Sequence, residues 1–428
     1  MIKAWLEQKG ERTITIYAAI CAFGVYFCMY AFRKPFTAST YEGIEWMGLG
    51  LKTVLLISQI AGYALSKFIG IKIVSELKHD RRVFLFLFLI GFSWFALLLL
   101  SVLPLTLKPI AMFLNGFPLG MIWGLVFSYL EGRRFTEIMA ASLSASFIIS
   151  SDVVKSVGLW LSLQGVSIFW MPFIVGLIFI IPFTLFVYLI NQLPKPSQAD
   201  IDDRTIRKPM MGTERRNFVL RFWPGLIMCL VSYMLITAYR DFRDYFAVEI
   251  WTELGYVNDA SVFTRAALPV APTVLLIMGL MILVKKNMVA FKMYHILILL
   301  GLSLTLSANI LHEMGYLGPF LWMVLVGIGL YTAYVFFAST MFDRMLAAFK
   351  YVGTAGFMIY LMDAFGYLGS VLSMLYKELG NTNIEFYPFF VRSGYVIIVV
   401  SMILMTGSLL TFGLKEKRYL NNESSEKH

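Results

Sequence analysis

Along this chain apolar runs of membrane-spanning length alternate with short polar or charged breaks. A bilayer's hydrocarbon core is about 30 Å thick and takes about 20 helical residues to cross. On that measure the pattern predicts spans near 13–35, 48–70, 82–104, 109–130, 138–163 and 168–192. A second set follows near 218–242, 262–284, 290–312, 318–343, 350–376 and 388–414. Backbone amides in lipid must be bonded within their own segment, so these runs are read as helices. The expected fold class is an all-α membrane protein with twelve transmembrane helices.

The one long polar stretch, Leu193 to Asn217, carries Pro194, Pro196, Asp200, Asp202, Asp203, Arg204, Arg207 and Lys208. It reads as a cytoplasmic linker between two six-helix bundles, residues 1–192 and 218–428. Its position near the midpoint invites a search for duplication. Residues 25–33 read VYFCMYAFR and residues 232–240 read SYMLITAYR, which aligns Tyr26 with Tyr233, Ala31 with Ala238 and Arg33 with Arg240. The same pattern closes the first helix of each half, as a pseudo-symmetric six-plus-six repeat requires.

Composition agrees with lipid as the main solvent: 59% of residues are apolar and 14% charged, with 37 Phe and 24 Met. The net charge of +10 sits at helix ends. Lys and Arg concentrate in the N-terminal segment, the even-numbered loops and the C-terminal tail, which places both termini in the cytoplasm. The basic balance is topological, so membrane lipid rather than nucleic acid is the expected partner. The first apolar run lacks a small-residue cleavage site and is expected to remain as a span. A bacterial inner-membrane protein acting as a monomer is the expectation. Cys21, Cys28 and Cys229 lie inside apolar runs, and His79, His295, His312 and His428 are scattered. There is no HExxH, no GxSxG and no phosphate-binding glycine loop, so an enzyme, a metal or another cofactor is not expected.

Charges in apolar helices are costly unless paired or facing a wet cavity, so each is a functional candidate. Tyr26, Tyr30 and Arg33 recur at helical spacing, and Lys34 follows. Tyr63 and Lys67 lie one turn apart in the second span. Tyr233, Thr237 and Arg240 form a stripe in the seventh, with Asp241, Arg243 and Asp244 close behind. Arginine forks, a lysine point charge and phenol donors together describe an oxyanion pocket. The competing reading makes Arg33 and Lys34 interfacial anchors with Tyr30 in an aromatic belt, Lys67 a snorkelling residue, and YRDFRD a surface ion-pair network.

At these residues the sequence resembles the organophosphate:phosphate antiporters of the major facilitator superfamily, of the bacterial glycerol-3-phosphate type. The resemblance lies in YFCMYAFRKPF, ISQIAGYALSKFIG, GFPLGMIWGLVFSYLEGRRF and GTAGFMIYLMDAFGYLGS. It implies the major facilitator fold and a substrate phosphate held between Arg33 and Arg240. By the same resemblance Lys67 supports the phosphate, and Tyr26, Tyr30, Tyr63, Tyr367 and Tyr334 line the site.

Helix 5 departs from that family, reading SASFIISSDVVKSVG with Asp152 and Lys155 and no histidine. These two either neutralise each other three residues apart or take part in coupling. Asp363 is a second intramembrane carboxylate able to carry a proton. Glu76, Arg81, Glu131, Arg133 and Arg134, in the 2-to-3 and 4-to-5 loops, read as a cytoplasmic gate network. The expected function is alternating-access transport of an anionic phosphorylated small molecule, with exchange for phosphate implied by the resemblance alone. The alternatives are a proton-coupled transporter of another solute using Asp152 or Asp363, and a sensor of transporter type that binds without carrying.

Overall fold

The computed structural model describes residues 2–75, 81–130, 136–194, 212–338, 341–351, 356–380 and 385–425. Among the described residues twelve long helices follow in order: α1 (Glu11–Met29), α2 (Leu51–Ser75), α3 (Arg82–Val102), α4 (Lys108–Leu130), α5 (Thr136–Leu163) and α6 (Met171–Ile190), then α7 (Gly225–Tyr245), α8 (Val262–Ile282), α9 (Asn287–Glu313), α10 (Pro319–Ala338), α11 (Gly356–Gly380) and α12 (Phe386–Ser425). Ten segments have the length and hydropathy of a membrane span, and α2 and α11, at 25 residues each, are long enough to be the others. Among the described residues the only sheet is a hairpin pairing Glu45–Trp46 with Leu49–Gly50. The chain is thus a multi-pass α-helical membrane protein.

Two of the helix ends that differ from the sequence expectation lie beside a proline; α2 and α12 also run on, to Ser75 and Ser425, past the expected 70 and 414. The first span does not run as one α-helix through Arg33. It ends at Met29, tightens into a 3-10 turn over Tyr30–Phe32, and restarts as a second turn over Pro35–Ala38. Proline has no amide hydrogen and its ring crowds the preceding turn, which disfavours a regular helix running into residue 35. The amides of Arg33 and Lys34 both bond back to the Tyr30 carbonyl, at 3.0 and 2.9 Å. The seventh span starts later than expected, because Pro224 separates a helix over Gly212–Phe222 from α7. α7 then extends to Tyr245, so the YRDFRD run lies within helix rather than beyond its end.

The chain divides into two compact units. The first comprises Met1–Arg204 together with Asp244–Ala271 and Met374–Tyr387; the second comprises Thr205–Arg243, Pro272–Ser373 and Pro388–His428. In the first unit α2 and α4 touch backbone to backbone. A Cβ added at Gly62 would lie 2.1 Å from the Phe113 carbonyl oxygen, and one at Gly116 would lie 2.1 Å from that of Gln59. Only glycine permits such an approach, the small-residue packing common between helices in lipid. In the second unit aromatic rings fill the interior: Tyr239 stacks on Phe390 at 4.3 Å between ring centres, and Trp322 donates to Asn309 at 2.8 Å.

Candidate functional site

Within the first unit, the turn that ends α1 carries Arg33 into a group of phenol rings. Its guanidinium lies 4.2 Å from the Tyr63 ring centre and 5.9 Å from that of Tyr30. Tyr26 meets Tyr30 edge to face at 5.7 Å and Phe147 at 5.5 Å. Lys67, half-buried one turn beyond Tyr63, places its ammonium 5.4 Å from the same ring. Arg33 is only 8% exposed, which is not the setting of an interfacial anchor. Tyr26, Tyr30, Arg33, Tyr63 and Lys67 are therefore brought together, although the break after Met29 means that they do not form one helical stripe.

The backbone beneath Arg33 is held by two amide side chains. Gln59 Nε2 donates to the Arg33 carbonyl at 2.9 Å and to Asn115 Oδ1 at 2.7 Å. Asn115 Nδ2 donates in turn to the Phe32 carbonyl at 2.9 Å and to Ser93 Oγ at 2.7 Å. Both amides are neutral and lie inside apolar runs, so a charge pattern does not reveal them, whereas an amide in an apolar run does.

Lys34 is not beside Arg33's tyrosines but in a separate ionic group of the same unit. Its ammonium pairs with Asp244 Oδ2 and lies 3.9 Å from the Tyr245 ring centre. Lys155 pairs with Asp244 Oδ1 at 2.8 Å and with Asp152 at 2.8 Å, and Ser151 donates to Asp244 Oδ1 at 2.7 Å. The local neutralisation of Asp152 by Lys155 is present, with Asp244 added to it. Two cations and two carboxylates make this group neutral in formal charge.

Beside it Lys52, at the start of α2, bonds both oxygens of Glu249 at 2.6 and 2.8 Å. Glu249 lies on the short helix Ala247–Glu253, between α7 and α8. Burial pushes its carboxyl above the usual carboxylate range, and Lys52 pulls it only part of the way back. Neither residue stood out in the sequence, because Lys52 lies near the start of a predicted span and Glu249 falls between two spans.

The second unit contains a comparable arrangement. Arg240 lies with its guanidinium 3.6 Å from the Tyr334 ring centre, and its Nε donates to Asp241 Oδ1 at 3.0 Å. Asp241 Oδ2 accepts from Ser370 at 2.7 Å. Tyr233 stacks on Tyr334 at 5.5 Å and directs its hydroxyl toward Asp363 at 3.5 Å. Thr237, on the same stripe, is buried and its hydroxyl makes no hydrogen bond among the described residues. Tyr367, one turn after Asp363 on α11, is half-buried. Arg243 is turned elsewhere, donating to the Met323 carbonyl at 3.1 Å.

Of the expected gate residues, Arg81 is exposed immediately before α3, while Glu76, Glu131, Arg133 and Arg134 lie outside the described residues.

The fold is that of major facilitator transporters. The solved structure of a D-xylose-proton symporter superposes with a TM-score of 0.63 at 12% identity, over 92% of this chain and 97% of that one. That of the nucleoside transporter NupG gives a TM-score of 0.60 at 14% identity, over 92% and 98%. The chain belongs to a family described as a family of unknown function (DUF5690), whose model matches residues 35–415. No curated protein matches it.

Proposed function

We propose that this protein is a secondary transporter that works by alternating access and carries a small anionic, phosphorylated solute. The observation that carries the reading is the repetition of one device: a largely buried arginine, Arg33 just after the turn that follows α1 and Arg240 near the end of α7, placed over a tyrosine ring. The distances are 4.2 Å for Arg33 on Tyr63 and 3.6 Å for Arg240 on Tyr334. A guanidinium over an aromatic face can match two oxygens of a phosphate, and at Arg240 the anion would share or displace the Asp241 carboxylate that its Nε and Nη2 engage. Lys67 adds a point charge beside Arg33, and Tyr26, Tyr30 and Thr237 add neutral donors. The xylose and nucleoside transporters of like fold support the transport part of this reading, while the substrate class rests on the side chains.

In this reading Arg33 and Arg240, one in each sequence half, are the anion-recognising residues, and transport proceeds by alternating access. The protein lies in a bacterial inner membrane with both termini and the linker cytoplasmic, so an alkaline phosphatase fusion after Arg207 is inactive and one after Gly255 is active. Asp363, which takes the Tyr233 hydroxyl, carries the proton-coupled alternative; Asp152 is engaged by Lys155 and is the weaker candidate for that role. The deciding experiment is a counterflow screen in proteoliposomes against phosphate, phosphate esters, carboxylates and neutral sugars. Exchange confined to phosphate and its esters supports the proposal. Exchange of neutral solutes driven by a proton gradient replaces it, and tight binding with no counterflow points to a sensor.

A further inference from the structure

We propose that Gln59 and Asn115 are positioning residues for Arg33, holding the broken end of α1 so that the guanidinium meets the anion at a fixed place. The inference rests on the reading of Arg33 as an anion-binding group. It starts from the helix break. Pro35 has no amide hydrogen, and the amide of Thr37 bonds to the Lys34 carbonyl at 3.0 Å, so the turn after the break uses neither the Phe32 nor the Arg33 carbonyl. In a bundle interior such carbonyls need a partner from elsewhere.

Two amides supply it. Gln59 of α2 caps Arg33 at 2.9 Å, Asn115 of α4 caps Phe32 at 2.9 Å, and the two are joined at 2.7 Å. Ser93 of α3 completes the set by bonding Asn115. All three side chains are at most 2% exposed.

The arrangement is specific to Arg33 in one further respect. Gln59 and Tyr63 stand four residues apart on α2, one turn of helix. The first holds the arginine's carbonyl and the second its guanidinium face, so a single helix grips this residue at both ends. Close contact of α2 and α4 at Gly62 and Gly116 brings the two amides within reach of each other. Removing either amide donor leaves a carbonyl to find a new partner, and the turn that carries Arg33 shifts with it. The defect belongs in substrate recognition rather than in the rocking step.

The test uses the full chain in liposomes with labelled inorganic phosphate, and Gln59→Met and Asn115→Leu, which keep shape and remove the donors. KM for phosphate is expected to rise about tenfold or more, with the maximal rate changed less than about twofold. In parallel, phenylglyoxal modification of Arg33, read by peptide mass spectrometry, is expected to change in rate while that of Arg240 in the same sample does not. Folded variants with wild-type KM and wild-type Arg33 labelling would overturn the proposal. If either variant does not fold, Ser93→Ala, which removes one acceptor of the Asn115 side chain and a longer bond to its backbone carbonyl, replaces it. A smaller change of Arg33 labelling is then expected, and none would be equally fatal. If the wild-type protein exchanges no phosphate, the substrate reading fails, while the labelling still decides whether the amides position Arg33.

Discussion

Lys155 and Asp244 meet at 2.8 Å with the lysine side chain fully buried, and the same carboxylate serves Lys34 through its other oxygen. One acid therefore holds two ammonium groups, whereas Asp152 holds only Lys155. Breaking a buried pair by removing one partner costs about 3–5 kcal/mol, because the remaining charge keeps its desolvation penalty. Asp244→Asn is expected to lower the unfolding temperature in detergent much more than Asp152→Asn, which leaves Lys155 its second carboxylate. Equal shifts for the two variants would show that Asp244 is not the centre of the group.

Arg33→Lys and Arg240→Lys test the anion clamp. A lysine keeps the charge but loses both the planar fork and the fit to the tyrosine face. Losing a desolvated contact between charged groups costs about 2–5 kcal/mol, or roughly thirtyfold or more in affinity. Each variant is expected to fold and to lose phosphate exchange. Near-normal uptake by both would remove the clamp and leave the fold untouched.

The Lys52–Glu249 pair gives a pH dependence with a definite sign. A carboxyl whose folded value is raised binds its proton more tightly in the native state. Its contribution to stability is fully present below the ordinary value of 4.5 and is lost as pH rises through the raised value. As pH rises above that ordinary value the wild-type unfolding temperature is expected to fall relative to that of Glu249→Gln, once other groups are subtracted through the variant. Parallel profiles would mean that Lys52 fully compensates the burial.

Gly116→Ala is expected to reduce folded yield severely, because the new methyl would lie 2.1 Å from the Gln59 carbonyl oxygen and backbone cannot yield as a side chain does. Gly91→Ala, where nothing lies within 4 Å, is expected to be neutral or slightly stabilising, since alanine has the better helix propensity. Fluorescence-detected size exclusion of the two variants side by side reads the difference. Similar yields would contradict the close contact of α2 with α4.

Helix number and most helix limits were legible in the sequence because hydrocarbon imposes a length and forbids unpaired amides. Hydropathy misplaced ends beside Pro35 and Pro224, which lie in or beside apolar runs, and it also missed the polar extensions of α2 to Ser75 and α12 to Ser425. Arg33, Tyr63 and Lys67 were legible as cations and phenols where lipid tolerates neither without reason, and Arg240 was legible through the repeat. Asp244 was visible only as one charge in a crowded run, since its partners Lys34, Lys155 and Ser151 come from distant segments. Gln59 and Asn115 were silent for another reason. Neutral amides leave little trace in a charge or hydropathy profile, and their importance arises only once a broken helix end lies beside them.

Because α2 and α4 meet through bare backbone at Gly62 and Gly116, no side chain between them can repack to absorb a displacement. The two helices act mechanically as one plank, and Gln59 and Asn115 bolt the end of α1 to it. If the proposed transport cycle tilts α2 and α4, the bonds of Gln59 and Asn115 to the end of α1 carry the Arg33 turn along with them.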